Sequence, residues 1–257
     1  MTFRPKIVGF VCNWSLPPEV NITRTSRIQG YPKIHVVRVM CVGRIDPVII
    51  LEAFAKGADG VLVIGCHPPD CHYIEGNLQA EQKVNMVRQL VSLTGLESER
   101  LRLEWSNAAE VGNFAAVVDD FRNQMIMLGR SSLARENLDG KVLLNVLAAK
   151  NAAADFRLRV LVGREKELTE DVNVYGEKIS QDDFDDLLGE VVREEFIRHK
   201  IHLLTKQKPL SVKGLAAIID MKPALVLRHI VDMRRKGMIA LDSVEETTPI
   251  YKALEVQ

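Results

Sequence analysis

Gly60-Val61-Leu62-Val63-Ile64-Gly65-Cys66 decides the fold of this chain. These residues carry no charge and are bounded by Asp59 and by His67-Pro68-Pro69. They read as a strand buried on both faces, since a half-exposed strand would alternate apolar and polar positions. Working outward, Lys6–Cys12 and His35–Cys41 have the same valine- and isoleucine-rich character, and Leu101–Trp105 is a fourth apolar run. Helical stretches lie between them. Asp46-Pro47 reads as an N-cap followed by proline at the first helical position, with Gly57 closing that helix. A second helix is expected to start after Asn77 and stop near Gly95. A third is expected near Asn107, with Glu110 as its capping-box partner. Strands alternating with helices predict an α/β fold, a small parallel sheet with flanking helices, over residues 1–130.

Composition agrees with a globular protein. The 257 residues are 47% hydrophobic and 26% charged, with 34 basic and 34 acidic side chains. A zero formal charge argues against a wholly basic nucleic-acid binder but leaves room for a local basic patch. The longest stretch without a charge, Ile7–Pro18, has 12 residues. A membrane-spanning helix needs about 20, so no membrane association is expected. The start of the chain shows no apolar signal region, which leads to an expected cytoplasmic location, where disulfides are rare.

The second half changes character. Residues 131–190 read as a helical, acidic linker, with Lys141–Glu170 as one long helix. Between Glu165 and Glu190, ten acidic residues face two lysines, a net of eight negative charges. A solvated surface is the simpler reading and a docking surface for a basic partner the sharper one. Residues 191–257 form a third unit. Val192–Thr205, Ser211–Asp220 and Pro223–Lys236 read as helices, and Met238–Asp242 and Ile250–Leu254 as a hairpin. This order predicts a C-terminal winged helix, a fold whose third helix often enters the DNA major groove. Residues 191–240 hold eleven basic and four acidic side chains, enough for phosphate contacts. The third helix offers few base-reading side chains, however, and winged helices also dock proteins.

The chemistry is expected at Cys12, Cys41, Cys66 and Cys71. The first three end predicted strands, and the carboxyl ends of parallel strands share the edge where ligand sites gather. Cys71 follows Cys66 across His67-Pro68-Pro69-Asp70, whose prolines restrict the backbone. Four thiolates suit a soft metal, either an iron–sulfur cluster or a structural zinc. The zinc reading is weakened by the lack of paired C-x2–4-C knuckles. A reactive thiol site and four inert core cysteines also stay open, although coincidence at three strand ends weighs against the latter. His67 and His72 are candidate ligands, or more simply hydrogen-bond partners around the site. Arg44 is a candidate counter-charge or an ordinary surface ion. Trp14 is a shield for the site or a core aromatic. No glycine-rich phosphate loop or G-x-S-x-G elbow occurs, so a non-catalytic electron carrier is expected.

Cys12-Asn13-Trp14, Arg38-Val39-Met40-Cys41-Val42-Gly43-Arg44-Ile45-Asp46-Pro47, Ala53–Val63 and Gly65-Cys66-His67-Pro68-Pro69-Asp70-Cys71-His72-Tyr73-Ile74-Glu75-Gly76-Asn77 together resemble one family. It is the delta, iron–sulfur subunit of methyl-viologen-reducing, F420-non-reducing hydrogenase, and the resemblance covers residues 1 to about 128. It implies an α/β domain with one 2Fe–2S cluster held by Cys12, Cys41, Cys66 and Cys71. It also implies an electron relay in anaerobes. Such a relay runs between a hydrogenase, formate dehydrogenase or similar partner and the flavin subunit of a heterodisulfide reductase-like complex. The family commonly has a fifth cysteine where this chain has Ser15. Serine is a poor substitute for thiolate, so Ser15 is not expected to be a ligand. The competing function is a redox-responsive DNA-binding regulator acting through the winged helix.

Overall fold

The computed structural model describes residues 3–15, 34–106 and 111–255. The first unit is built from β1 (Ile7–Cys12), β2 (Ile34–Val39), α1 (Pro47–Ala55), β3 (Gly60–Cys66), α2 (Gly76–Ser92), β4 (Leu101–Ser106) and α3 (Val111–Leu128). The sheet is wholly parallel in the order β2-β1-β3-β4. The expected start of the third helix, Asn107 with Glu110, lies outside the described residues. α1 starts as its sequence dictates: Asp46 accepts from the Val48 amide and Pro47 takes the first helical position.

All seven residues of β3 are buried because both faces of the sheet are covered. On one face, Ile7, Val11, Leu62 and Ile64 pack against Phe114, Val118, Phe121 and Met125 of α3. On the other, Phe10, Cys12, Val61, Val63 and Cys66 join the core formed with α1 and α2. The amino ends of the strands are held by a buried polar bracket. Asp59 accepts from the Lys6 and Ser131 amides at 2.7 and 2.8 Å. The buried Arg100 donates to the Asp59 and Gly129 carbonyls and pairs with Glu97.

The segment expected as one helix over Lys141–Glu170 is three: α4 (Gly140–Ala154), α5 (Phe156–Gly163) and α6 (Glu165–Glu170). Asp155 breaks the first run. Its extended backbone ends α4 while its carboxylate caps α5. The bend lets α4 pack on α1 and α5 on α2, where Val146, Ala149, Ala153, Leu158 and Val162 enter the first core. α7 (Gln181–Gln207) follows, capped by Ser180, with Asp182 and Asp183 in its first turn, where the helix dipole favours negative charge.

α7 belongs to two cores. Phe184, Leu188, Val191, Val192 and Phe196 pack in the first, and Ile201 and Leu204 in another. The division expected at 190/191 therefore falls inside one helix. The second core is completed by β5 (Leu210–Ser211), α8 (Val212–Ile219), α9 (Pro223–Arg235), β6 (Ile239–Glu245) and β7 (Thr248–Ala253), whose strands pair antiparallel in the order β5-β7-β6. Leu215, Val226, Ile230, Met233, Ile239 and Tyr251 fill it. The buried Glu195 sits where α5, α7 and α9 meet, bonded by Arg198 at 2.5 Å and Arg157 at 3.2 Å. Arg198 also reaches Asp232 on α9. Among the described residues no helix is long and apolar enough to cross a membrane.

Candidate metal centre

The four cysteines gather at the carboxyl edge of the parallel sheet, as two pairs rather than one tight knot. Cys12 and Cys66 end the adjacent strands β1 and β3, and their sulfurs lie 3.5 Å apart. Cys41 lies two residues beyond β2, not at its last position, and precedes a 3-10 turn over Val42–Arg44. It faces Cys71 across the start of α2: a Cβ on Gly76 would stand within 3.2 Å of both sulfurs. Among the described residues no three cysteine sulfurs lie within 4.8 Å of one another, so the single four-thiolate cluster expected from the sequence is not formed here.

Two glycines make the approach possible. A Cβ on Gly43 would overlap the Gly76 carbonyl oxygen and come within 2.9 Å of its Cα, so the Cys41 turn rests directly on the α2 backbone. Contact at the first residue of α2 also puts the second sulfur pair at the amino end of a 17-residue helix.

The surroundings supply amide donors. The Trp14, Ser15 and Val42 amides act on the Cys12 sulfur, that of Gly43 on Cys41 and that of His72 on Cys66. The Cys66 thiol bonded to Cys12 lowers the Cys12 pKa to about 6, while Cys66 itself is raised by the same bond and by burial. Burial raises Cys41, with the neighbouring cysteines adding to it. Four sulfur donors, amides aimed at them and a cradle that a methyl group would fill together fit a cation held by thiolates.

The flanking residues take modest roles. Trp14 stacks on His72 at 3.5 Å and 17°, and His72 meets Tyr73 edge-on, so the Cys12 and Cys71 loops are clasped over the site. Trp14 is thus a partly exposed cover rather than a core aromatic. The exposed His67 contacts the Pro68 carbonyl. Arg44 is exposed and forms no ion pair among the described residues. Ser15 is buried, its hydroxyl spanning the Cys12 and Ile64 carbonyls at 3.0 and 3.4 Å, where it steadies the ends of β1 and β3.

Lys83 escaped the sequence reading. Its ammonium donates to the Gly43 carbonyl at 2.6 Å and is half buried behind the Cys41 turn. The signal was present: Lys83 lies seven residues after Gly76 on α2, hence on the same helix face. One further cluster has metal-like spacing, Asp155, Glu195 and His199. Arg157, Arg198 and Lys236 already neutralise its buried carboxylate, so it is an ion-pair junction.

These features define a parallel α/β module with paired cysteines on its carboxyl edge. Residues 7–129 match the family described as methyl-viologen-reducing hydrogenase, delta subunit, and the chain belongs to that family. It is 41% identical over 140 residues to the vhc iron–sulfur subunit of the F420-non-reducing hydrogenase of Methanococcus voltae, covering 96% of that protein and 54% of this chain. The corresponding iron–sulfur subunit of Archaeoglobus profundus is 41% identical over 127 residues, 93% of its length and 49% of this chain. One subunit of the ferredoxin:CoB-CoM heterodisulfide reductase of Methanosarcina mazei is 40% identical over 134 residues, 51% of this chain and 17% of that larger protein.

Proposed function

We propose that this protein is an electron-relay subunit whose Cys12, Cys41, Cys66 and Cys71 hold a 2Fe–2S cluster. The observation that carries the reading is the pairing of the sulfurs, Cys12 with Cys66 and Cys41 with Cys71, because each iron of such a cluster takes two protein ligands. The cluster supplies a one-electron couple. The chain's own residues do the rest: the amides near the sulfurs offset thiolate charge, and the Trp14–His72 stack limits water.

The partners are proposed to be a hydrogenase or other dehydrogenase on one side and the flavin subunit of a heterodisulfide reductase-like complex on the other. The relatives' names support this, as does the occurrence of a similar module inside a larger heterodisulfide reductase polypeptide. The proposed organisation is the cluster domain over residues 1–130, the helical acidic segment over 131–190 and a winged helix over 191–257. The last would anchor the subunit in its complex, in the cytoplasm. A DNA-binding role for it is the weaker reading.

The test is the iron, acid-labile sulfide and zinc content of anaerobically purified protein, with an EPR spectrum after dithionite reduction. About two irons and two sulfides per chain are expected, with a reduced-state signal. One zinc without iron, or no metal after reconstitution, would overturn the relay reading. Cys71→Ala should lose the cluster, and full retention would remove Cys71 from the ligand set.

A further inference from the structure

α9 is apolar on two sides. Val226, Ile230 and Met233 face the second core. Ala224, Leu227 and Val231 recur at three- and four-residue spacing on the opposite, solvent side, and Leu225 is exposed on the other flank. Leu225, Leu227 and Val231 are 47%, 46% and 39% exposed. α9 also carries Arg228, Asp232, Arg234 and Arg235, so it is not apolar all round, but a contiguous exposed aliphatic stripe on its outer side marks a contact site. Around the stripe stand Lys222, Arg228, Arg234 and Arg235, all exposed. Lys222, Arg234 and Arg235 have no ion pair among the described residues, and Arg228 reaches Glu194 only at 3.7 Å.

The charge pattern separates protein from nucleic acid. The β6–β7 tip that would follow a duplex backbone carries Glu245 and Glu246, while Asp242 further down the strand is paired with Lys252, and Asp220 sits in the turn before α9. Phosphates would be repelled on both flanks of the helix. The α9 face presents aliphatic side chains where a reading helix needs Asn, Gln or Arg. The Methanococcus voltae and Archaeoglobus profundus relatives match only about the first half of this chain, so the stripe serves something beyond what that half shares with them.

We propose that the α9 face docks an acidic amphipathic helix of a partner protein. Aliphatic residues of the partner would lie on Ala224, Leu227 and Val231, and its carboxylates against Lys222, Arg228, Arg234 and Arg235. The stripe is two turns long and one helix wide, which fits a single helix laid along it. Basic residues at the rim set attraction and salt sensitivity, and the apolar centre sets residence time. The inference rests on the anchoring role proposed above and deepens it by naming the partner's chemistry.

The experiment uses the full chain and four probes. These are a fluorescent 20-residue helical peptide with a leucine stripe flanked by glutamates, the same peptide with lysines for glutamates, a scrambled isomer, and a 30-base-pair duplex. Anisotropy should show binding of the glutamate peptide only, weakening at least tenfold between 50 and 300 mM salt. The paired change Arg234→Glu with Arg235→Glu, and separately Leu227→Ser with Val231→Ser, should each weaken it at least tenfold. All four positions are exposed, and an unchanged circular-dichroism melt would show that the variants fold. Tighter binding of the duplex, lost in the arginine variant, would overturn the proposal in favour of nucleic acid. A salt-sensitive dimer in sedimentation, lost in the same variants, would overturn it in favour of a second copy. Equal binding of the scrambled peptide, or none of any probe, would also overturn it. Iron content of the same preparation reports the relay reading separately.

Discussion

Gly76→Ala separates two things that usually fail together, the apo fold and the metal site. The added methyl would occupy the space between the Cys41 and Cys71 sulfurs. In the apo protein the obstacle is the end of a rotatable side chain. Turning Cys41 aside costs about 0.5–1.5 kcal/mol. Alanine in place of glycine in a helix returns up to about 1 kcal/mol. The two nearly cancel, so the apo melting temperature should move by no more than a few degrees. With metal bound, the Cys41 sulfur is pinned and cannot turn, and the methyl must be accommodated inside the ligand shell. Iron after anaerobic reconstitution should therefore fall to a small fraction of wild type while thermal unfolding of the apo form is almost unchanged. Gly43→Ala is the contrasting control, because its methyl meets the Gly76 backbone, which has nowhere to go. That variant should lose about 1–3 kcal/mol of apo stability by overpacking. Full iron content and a wild-type EPR spectrum in Gly76→Ala would refute the reasoning, since the cradle would then not face the ligand shell.

Three further outcomes are expected. Lys83→Met removes a half-buried cation behind the Cys41 turn, and should lower the reduction potential of the proposed cluster by some tens of millivolts, on the order of 1 kcal/mol. Lys83→Arg should restore most of it, and an unchanged potential in a spectroelectrochemical titration would dismiss the electrostatic role. Arg100→Met strands the buried Asp59 carbonyl and the part-buried Gly129 carbonyl, and should cost about 2–3 kcal/mol in urea unfolding while sparing iron content. His229 is buried, and its pKa is lowered by that burial with Arg198 adding to it. The unfolded state therefore binds the proton more readily, so stability is fully present above about pH 6.5 and drains away as pH falls through the lowered native value. The loss between pH 7 and 5.5 should be smaller in His229→Gln, and an identical slope would exclude His229 as its source.

Much of this was written locally in the chain. The strand over Gly60–Cys66 needed only its unbroken apolar run, and α1 announced itself through Asp46-Pro47. The strand-end positions of Cys12 and Cys66 followed from parallel topology alone. What stayed hidden depends on distance in space. Gly43 and Gly76 look unremarkable apart, and their role exists only because two backbones meet. Arg100 read as one charge among many, yet it is buried between two carbonyls contributed by different loops. Helical composition over Lys141–Glu170 concealed a break because Asp155 is tolerable in a helix but better as a cap. The acidic run at 165–190 likewise resolves into α6, a turn and the start of α7, where negative charge suits the helix amino end.

The sharing of α7 between two cores has a mechanical consequence. At 1.5 Å per residue its 27 residues make a rod of about 40 Å, with no slack where a flexible tether would have it. A chain joined by a floppy linker lets its two ends search a volume, and the local concentration it confers is diluted by that search. A rod fixes a vector instead. Anything gripped at the far end is presented to the cysteine edge at one distance and one angle, like a workpiece held in a jig. Cutting the rod at 190 would leave two broken cores rather than two working halves.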